Sequence, residues 1–260
     1  MMLGGIGWVN HVFASATVTS ATNSQGGWGH AYLKSPALSL AWKGAATDLD
    51  ESITADLGSA KSIQVVGAIA TNFTDTVERR ILLDDEATFA SPFLHDSTLA
   101  AAYDLNLAPL LTSHHPAGRS LIYLLPAAVS ARYVRAQFVE SSNPDGELRV
   151  AVYWAGPLWR PAVGFSFDWT REDVEVAGVG ALRTHRLRFP VLTPGERVAL
   201  ESIWRDRITL GRILVVPRQE VDVLHHDAIY GRFAGPPRFT PRETRTESWE
   251  ATLEVTEVLD

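Results

Sequence analysis

Polar and apolar residues alternate with a period of two in short segments of the first 157 residues, as expected for β-strands with one buried face. Residues 52–57 alternate in this way, and residues 61–70 become continuously apolar, which is typical of a strand buried on both faces. Further segments with strand character are 79–83, 120–125, 132–139 and 148–154. Because no helical period separates these segments, they predict an antiparallel β-sandwich and not a βαβ sheet.

A helix is predicted in the second half of the chain, over residues 194–208. Thr193 and Glu196 have the spacing of a capping box, and a proline occupies the first helical position. The apolar residues that follow recur mostly at spacings of three and four, which gathers them on one side of the helix. They are Val198, Leu200, Ile203, Trp204 and Ile208. We therefore expect the helix to pack on its sandwich with Trp204 buried.

A domain boundary is predicted between residues 156 and 161, where two prolines stiffen the connection. The composition changes at the same place. All three lysines of the chain precede the boundary, whereas residues 158–260 hold fourteen arginines and no lysine. The predicted fold is mainly β, with two β-sandwich domains over residues 1–157 and 158–260 and the helix in the second.

The composition is that of a folded protein with a moderate negative charge. Hydrophobic residues make up 46% of the chain and charged residues 20%, which is enough to form a core. The net charge is −7, and no basic cluster extends beyond Arg79-Arg80, so we expect no nucleic-acid partner. With no cysteine, disulfides and thiolate metal sites are excluded. No apolar run approaches the roughly 18 residues of a membrane span, so membrane insertion is not expected.

The sequence lacks the familiar motifs of catalysis and cofactor binding. Neither a G-x-S-x-G turn nor a glycine-rich phosphate-binding pattern occurs. His114-His115 and His225-His226 are adjacent pairs, and neighbouring side chains on a strand point to opposite faces, so neither pair is expected to chelate one ion. We expect no enzyme, no metal and no cofactor. Carboxylates that pair in space for glycoside cleavage stay open, because their spacing is not visible in a sequence.

The eight tryptophans are the most distinctive residues of the chain. Trp204 and Trp249 lie on periodic elements and are expected in the core. Others lie near turns or strand ends, where an indole ring can stack on a sugar or anchor an interface. The candidate glycan or partner contacts are Trp28, Trp42 and Trp159. Core packing is the alternative for each of them.

Several passages of the first half occur in a recognisable order. Trp42 is followed by SITADLG at residues 52–58, by a β-branched run at 63–69, and later by ARYVRAQF at 131–138. In this order they resemble a galactose-binding-like (discoidin-type) β-sandwich. The resemblance implies that the DLG turn joins two sandwich strands, and that loops at one end of the sandwich bind glycans.

Three further passages extend a resemblance over nearly the whole chain. They are a glycine-bounded strand at residues 146–156, the run RLRFPVL at 186–192 before Glu196, and an aromatic strand at 247–255. Together they resemble distal tail or baseplate proteins of long-tailed bacteriophages and prophage-like particles. This resemblance implies a structural component of a phage tail tip, with the second domain similar to a tail-tube subunit. Such a component forms a ring that joins the tail tube to the baseplate and the receptor-binding parts.

The tail-tip resemblance also implies partners and a location. The partners would be further copies of the chain in a six-fold or three-fold ring, the tail-tube protein, baseplate hub or fibre proteins, and host surface glycans. The protein would belong to the virion tail tip and assemble in the host cytoplasm. Residues 165–169 alternate large aromatic with small polar residues, so Phe165, Phe167 and Trp169 are the candidate ring interface, with the sandwich core as the alternative.

A different class of function is left open by the same features. The sandwich and the peripheral tryptophans also fit a carbohydrate-binding module, or an accessory domain of a glycan-active protein. This alternative expects saturable sugar binding and needs no ring.

Overall fold

The computed structural model describes residues 3–14, 17–20, 28–45, 49–102, 119–140, 142–163, 170–176, 180–207, 211–218, 227–243 and 247–258. Contacts within the chain divide it into two compact units. The N-terminal unit is Val9–Pro157, and the C-terminal unit combines Met1–Trp8 with Leu158–Val258. The predicted domains, 1–157 and 158–260, differ from these units at the first eight residues, which lie with the second half of the chain.

Among the described residues, eight strands form the sheet of the N-terminal unit: β2 (Thr17–Ser20), β3 (Trp42–Lys43), β4 (Asp50–Thr71), β5 (Glu78–Asp84), β6 (His95–Asp96), β7 (Ala100–Ala101), β8 (Arg119–Val139) and β9 (Arg149–Gly156). Their order is β3-β9-β4-β8-β5-β6, with β2 paired to β4 and β7 paired to β5. A 3-10 helix at His30–Lys34 lies between β2 and β3. All of these strand pairs are antiparallel.

Two long strands, β4 and β8, form the centre of this sheet. The segments 52–57 and 61–70 were predicted as separate strands, but both belong to β4, which runs for 22 residues. The β4–β8 register shifts between Asp56 and Lys61, and again further along the pair. Such bulges bend a strand, so residues from both halves of β4 reach the same core. Ile53 from the first half and Ile63 from the second half are fully buried members of that core.

The core of the N-terminal unit contains large aromatic side chains. Trp42, Tyr153, Phe73 and Phe138 are almost completely buried, and the rings of Phe73 and Phe138 lie 4.8 Å apart between centroids. Short residues such as Ala55 and Ala136 fill the space between the larger ones.

In the described part of the C-terminal unit, seven strands form a sheet: β1 (Leu3–Gly7), β10 (Thr170–Val176), β11 (Gly180–Leu192), β12 (Ile213–Arg218), β13 (Ile229–Phe233), β14 (Arg238–Glu243) and β15 (Ser248–Glu257). Their order is β1-β12-β13-β15-β11-β10, with β14 paired to β15. The first strand of the chain, β1, pairs antiparallel with β12. This pairing explains why residues 1–8 belong to the second unit.

The helix of the C-terminal unit, α1, is Pro194–Arg207, close to its predicted bounds. Its capping box is present: the Thr193 backbone N–H donates to Glu196 Oε2 at 2.8 Å, and the Glu196 N–H donates to Thr193 Oγ1 at 3.3 Å. The predicted fold class, mainly β with an α-helix in the second half, is confirmed. Among the described helices, none combines the length and apolar character that crossing a membrane requires.

The apolar side of α1 is narrower than predicted. Leu200 and Ile203 are buried, whereas Val198 is 59% exposed and Trp204 is only partly buried. Near the start of the helix, the Arg197 guanidinium lies 4.2 Å from the ring centre of Trp249 and covers that ring. Trp204 does not belong to the buried core of this unit, so the expectation of a buried Trp204 is wrong.

Candidate ligand-binding cleft

The structure places the three candidate tryptophans in three different environments. Trp42 is 0% exposed and belongs to the core, where its Nε1 donates to Ser20 Oγ at 3.1 Å. A ligand or partner cannot reach a buried indole, so the contact expected at Trp42 is wrong. Trp28 is 40% exposed, and the Lys43 ammonium lies 4.5 Å from its ring centre. Trp159 is partly buried against the core of the C-terminal unit, 5.7 Å from the Phe189 ring.

Other sequence candidates lie outside the described residues. These are Phe165, Phe167 and Trp169 of the candidate ring interface, and the histidine pairs His114-His115 and His225-His226. Within the described ranges, no group of three or more His, Cys, Asp or Glu side chains is arranged to hold a metal ion.

A cleft on the face of the N-terminal sheet is the strongest candidate site. It has a volume of about 330 Å³ and lies over β4, β8 and β5. Its lining combines two aromatic rings with charged, amide, hydroxyl and aliphatic side chains. The lining residues are Asp50, Ser52, Arg80, Leu82, Phe89, Phe93, Arg135 and Gln137. Clefts of this size that join apolar walls to a few polar groups are typical of small-ligand sites.

Strand alternation explains why polar residues line this face. On β8, Val134 and Ala136 point into the core, so Arg135 and Gln137 point away from it. The antiparallel register then places Ser52, Gln137 and Arg80 side by side in one row across β4, β8 and β5. The adjacent row contains Thr54, Arg135 and Leu82.

Arg80 is held by an acidic partner at one wall of the cleft. Its Nε and one terminal nitrogen donate to the two carboxylate oxygens of Asp96, at 2.9 and 2.6 Å. These two bonds lower the pKa of Asp96 and raise that of Arg80. The same guanidinium lies 5.7 Å from the ring centre of Phe93, which is partly exposed. Arg80 is therefore fixed in place beside an accessible aromatic ring.

Arg135 occupies the middle of the cleft and is also held in place. Its Nε donates to Thr54 Oγ1 at 3.0 Å, and its guanidinium carbon lies 4.1 Å from the ring centre of Phe89. Partial burial lowers the pKa of Arg135. Phe89 itself is buried and has a φ of 50°, a left-handed conformation that is uncommon for a bulky residue. Tertiary contacts thus hold this ring where it supports the guanidinium.

The opposite end of the cleft carries an acidic side chain. Gln137 Nε2 donates to Asp50 Oδ1 at 3.1 Å, so an amide and a carboxylate lie together there. Planar amide and carboxylate groups exchange hydrogen bonds with hydroxyl groups, because both offer acceptors and the amide also donates. The cleft therefore presents two arginines, an acidic side chain at one end and an aromatic wall.

A second cavity, of about 560 Å³, lies in the C-terminal unit. It is lined by Arg186, Ala234, Gly235, Pro236, Arg238, Thr252 and Glu254. Arg186 pairs with Glu254 at 3.4 Å, but its side chain is 65% exposed. The described lining of this cavity holds no aromatic ring, so it offers a ligand less than the cleft of the N-terminal unit does.

Sequence reasoning missed the cleft residues, although part of the signal was visible. Arg135 and Gln137 lie within residues 132–139, which the sequence predicts only as a strand. Two polar residues at a spacing of two on such a strand indicate a polar outer face. Phe93, in contrast, lies in an irregular segment, and no sequence pattern connects it with β8.

Comparison with known proteins gives structural likeness only. No protein-family model and no curated protein matches the chain. A chitosan-binding module of a chitosanase/glucanase from Paenibacillus sp. IK-5 is similar at 14% identity, with 57% of this chain and 99% of that chain covered and a TM-score of 0.41. A family 32 carbohydrate-binding module of Clostridium perfringens NanJ, in complex with galactose, is similar at 10% identity, with 58% and 98% covered and a TM-score of 0.41.

Proposed function

We propose that the N-terminal unit is a carbohydrate-binding module and that the cleft over β4, β8 and β5 is its binding site. The observation that carries the proposal is the composition of this cleft: the partly exposed ring of Phe93 beside fixed polar groups on three neighbouring strands. A sugar ring has an apolar C–H face and a rim of hydroxyl groups, so it needs an aromatic surface together with hydrogen-bonding groups.

The polar groups of the cleft are positioned before any ligand binds. Asp96 fixes Arg80, Thr54 fixes Arg135, and Gln137 contacts Asp50. Side chains that are already ordered lose little conformational freedom on binding, which favours affinity for a small polar ligand. These groups lie on strands, so the backbone also holds their spacing.

Replacing Phe93 by alanine is expected to weaken glycan binding about tenfold, or about 1.4 kcal/mol, because the sugar loses its stacking surface. Binding is first located on a glycan array and then measured by isothermal titration calorimetry. The comparison variant is Trp28→Ala, which removes the exposed candidate contact that lies outside the cleft. We expect this variant to bind as the unchanged protein does. If Trp28→Ala abolishes binding and Phe93→Ala does not, the site lies at Trp28 and the cleft is not the glycan site.

Our second candidate function is a structural role in a phage tail tip, as a subunit of a ring. Strand β10 favours this role because it lies at one edge of the C-terminal sheet, where it pairs, among the described strands, with β11 alone. The outer edge of such a strand offers backbone N–H and C=O groups to a strand of another copy, and repeated head-to-tail contacts of this kind can close a ring. In this proposal the protein lies in the virion tail tip, beside the tail-tube and baseplate proteins.

Light scattering after size exclusion tests the second candidate. We expect a discrete oligomer, alone or after mixing with a tail-tube protein, if the chain forms a ring. A monomer at every concentration, both alone and in that mixture, would contradict ring formation. That result would leave the glycan proposal unaffected, because the cleft lies within one unit of one chain.

A further inference from the structure

The two arginines of the cleft differ in what they have left to offer a ligand. Arg80 already uses two of its N–H groups on both oxygens of the Asp96 carboxylate. Arg135 uses its Nε on the Thr54 hydroxyl and covers a phenyl ring. Among the residues that the structure describes, no carboxylate lies within ion-pair distance of Arg135. Its terminal N–H groups are therefore the donors that a bound molecule would meet.

The carboxylate at the acidic end of the cleft bonds to Gln137 and forms no ion pair with Arg135. Asp50 and Thr54 are four residues apart on β4, and Thr54 lies directly opposite Arg135. Four residues of a strand span about 13 Å. Among the described residues, Arg135 thus has no carboxylate partner of its own in the cleft.

Partial burial makes the charge of Arg135 costly. An arginine stays protonated in a protein, so it cannot relieve the cost by releasing its proton. Burial lowers the pKa of Arg135, and this shift reflects the same penalty on the charged form. A carboxylate that enters the cleft would offset the penalty, and the planar guanidinium matches the two oxygens of such a group.

We infer that the cleft binds acidic carbohydrates, with the carboxylate of a uronic or sialic acid on the terminal nitrogens of Arg135. The inference rests on the proposed carbohydrate function and adds to it the class of sugar. Hydroxyl groups of the same or the next sugar would contact Ser52 and Gln137, which lie in the adjacent row of the sheet. The aromatic ring of Phe93 would supply the stacking surface.

The test compares each acidic sugar with its own methyl ester, which keeps the shape and removes the charge. Trigalacturonic acid and sialyllactose are titrated into the full chain at low salt, beside the two methyl esters and lactose. We expect at least one of the acids to bind at least about tenfold more tightly than its ester. A difference of this size is typical of a hydrogen bond to a charged group. Raising the salt concentration should reduce this difference, because the ion pair is partly exposed.

Variants of Arg135 assign the difference to this residue. Arg135→Gln should bring acid and ester to equal affinity, whereas Arg135→Lys, which keeps the charge but loses the planar fork, should retain part of the difference. Arg149→Gln is the matched control, because it removes the same charge from an exposed position of β9 in the same unit. Thermal melting of each variant shows that it is folded.

The outcomes separate this inference from the proposed function. Acids and esters that bind equally well to the unchanged protein overturn the preference for acidic sugars and leave carbohydrate binding in place. An equal loss in Arg149→Gln and Arg135→Gln also overturns the inference, since a general charge effect then explains the preference. If neither these sugars nor any glycan of the array binds, both the inference and the carbohydrate function are wrong.

Discussion

Replacing Trp42 by alanine is expected to lower the free energy of unfolding by about 3–5 kcal/mol. The indole is 0% exposed, packs in the core of the N-terminal unit, and donates a hydrogen bond to Ser20. The substitution removes the indole ring from that core and leaves a cavity in its place. Urea unfolding followed by circular dichroism measures the loss.

Trp28→Ala is the control for this prediction. The Trp28 side chain is 40% exposed, so its loss should change the free energy of unfolding by about 0.5 kcal/mol or less, as is usual at surface positions. Equal stability of the two variants would contradict the core position of Trp42 and return it to the candidate ligand contacts.

Replacing Glu257 by alanine is expected to destabilise the C-terminal unit by about 3–5 kcal/mol. Glu257 and Arg183 form an ion pair whose side chains are 5% and 11% exposed. Arg183 donates to Glu257 from its backbone N–H and from two guanidinium nitrogens. The neighbouring His185 is 0% exposed, and burial, followed by the charge of Arg183, lowers its pKa to about 3. Removing the carboxylate leaves the guanidinium without this partner in a place that water hardly reaches.

Two further variants isolate the effect of burial. Glu250→Ala removes the partly exposed partner of Arg188 from the same strand, β15, and should cost about 1 kcal/mol or less. The double substitution Arg183→Met with Glu257→Leu should recover most of the lost stability, because it removes both charges together. Thermal and urea unfolding measure all three variants. A loss in Glu250→Ala as large as that in Glu257→Ala would show that burial of the pair is not the cause.

Local interactions explain where sequence reasoning succeeded. The capping box at Thr193 and Glu196 needs only residues three apart, and the helix begins where this pattern predicts. The alternation in residues 52–57 separates the two faces of one strand, and its apolar positions are the ones that β4 buries. The fold class follows from many such local signals. The roles of Trp28 and Trp159 and the ring interface at Phe165, Phe167 and Trp169 stay predictions.

Contacts between distant parts of the chain explain what the sequence did not show. Residues 1–8 directly precede the strands of the first predicted domain in the sequence and are therefore expected to belong to it. In the structure β1 pairs with β12, more than 200 residues away along the chain. Trp42 lies beside a turn in the sequence, yet β3 pairs with β9 and the indole enters the core. In both cases the partner strand decides the environment, and no pattern within one segment specifies that partner.

The sequence by itself determined the secondary-structure class, the start of α1 and the alternation that separates buried from exposed strand positions, because each depends on neighbouring residues. The tertiary structure alone decided the cleft. Asp50, Arg80, Phe93, Arg135 and Gln137 come from four separate segments and meet because the registers of β4, β8 and β5 bring them together. Register is set by the whole sheet and its bulges, so a binding site built across strands becomes visible only when the strands are paired.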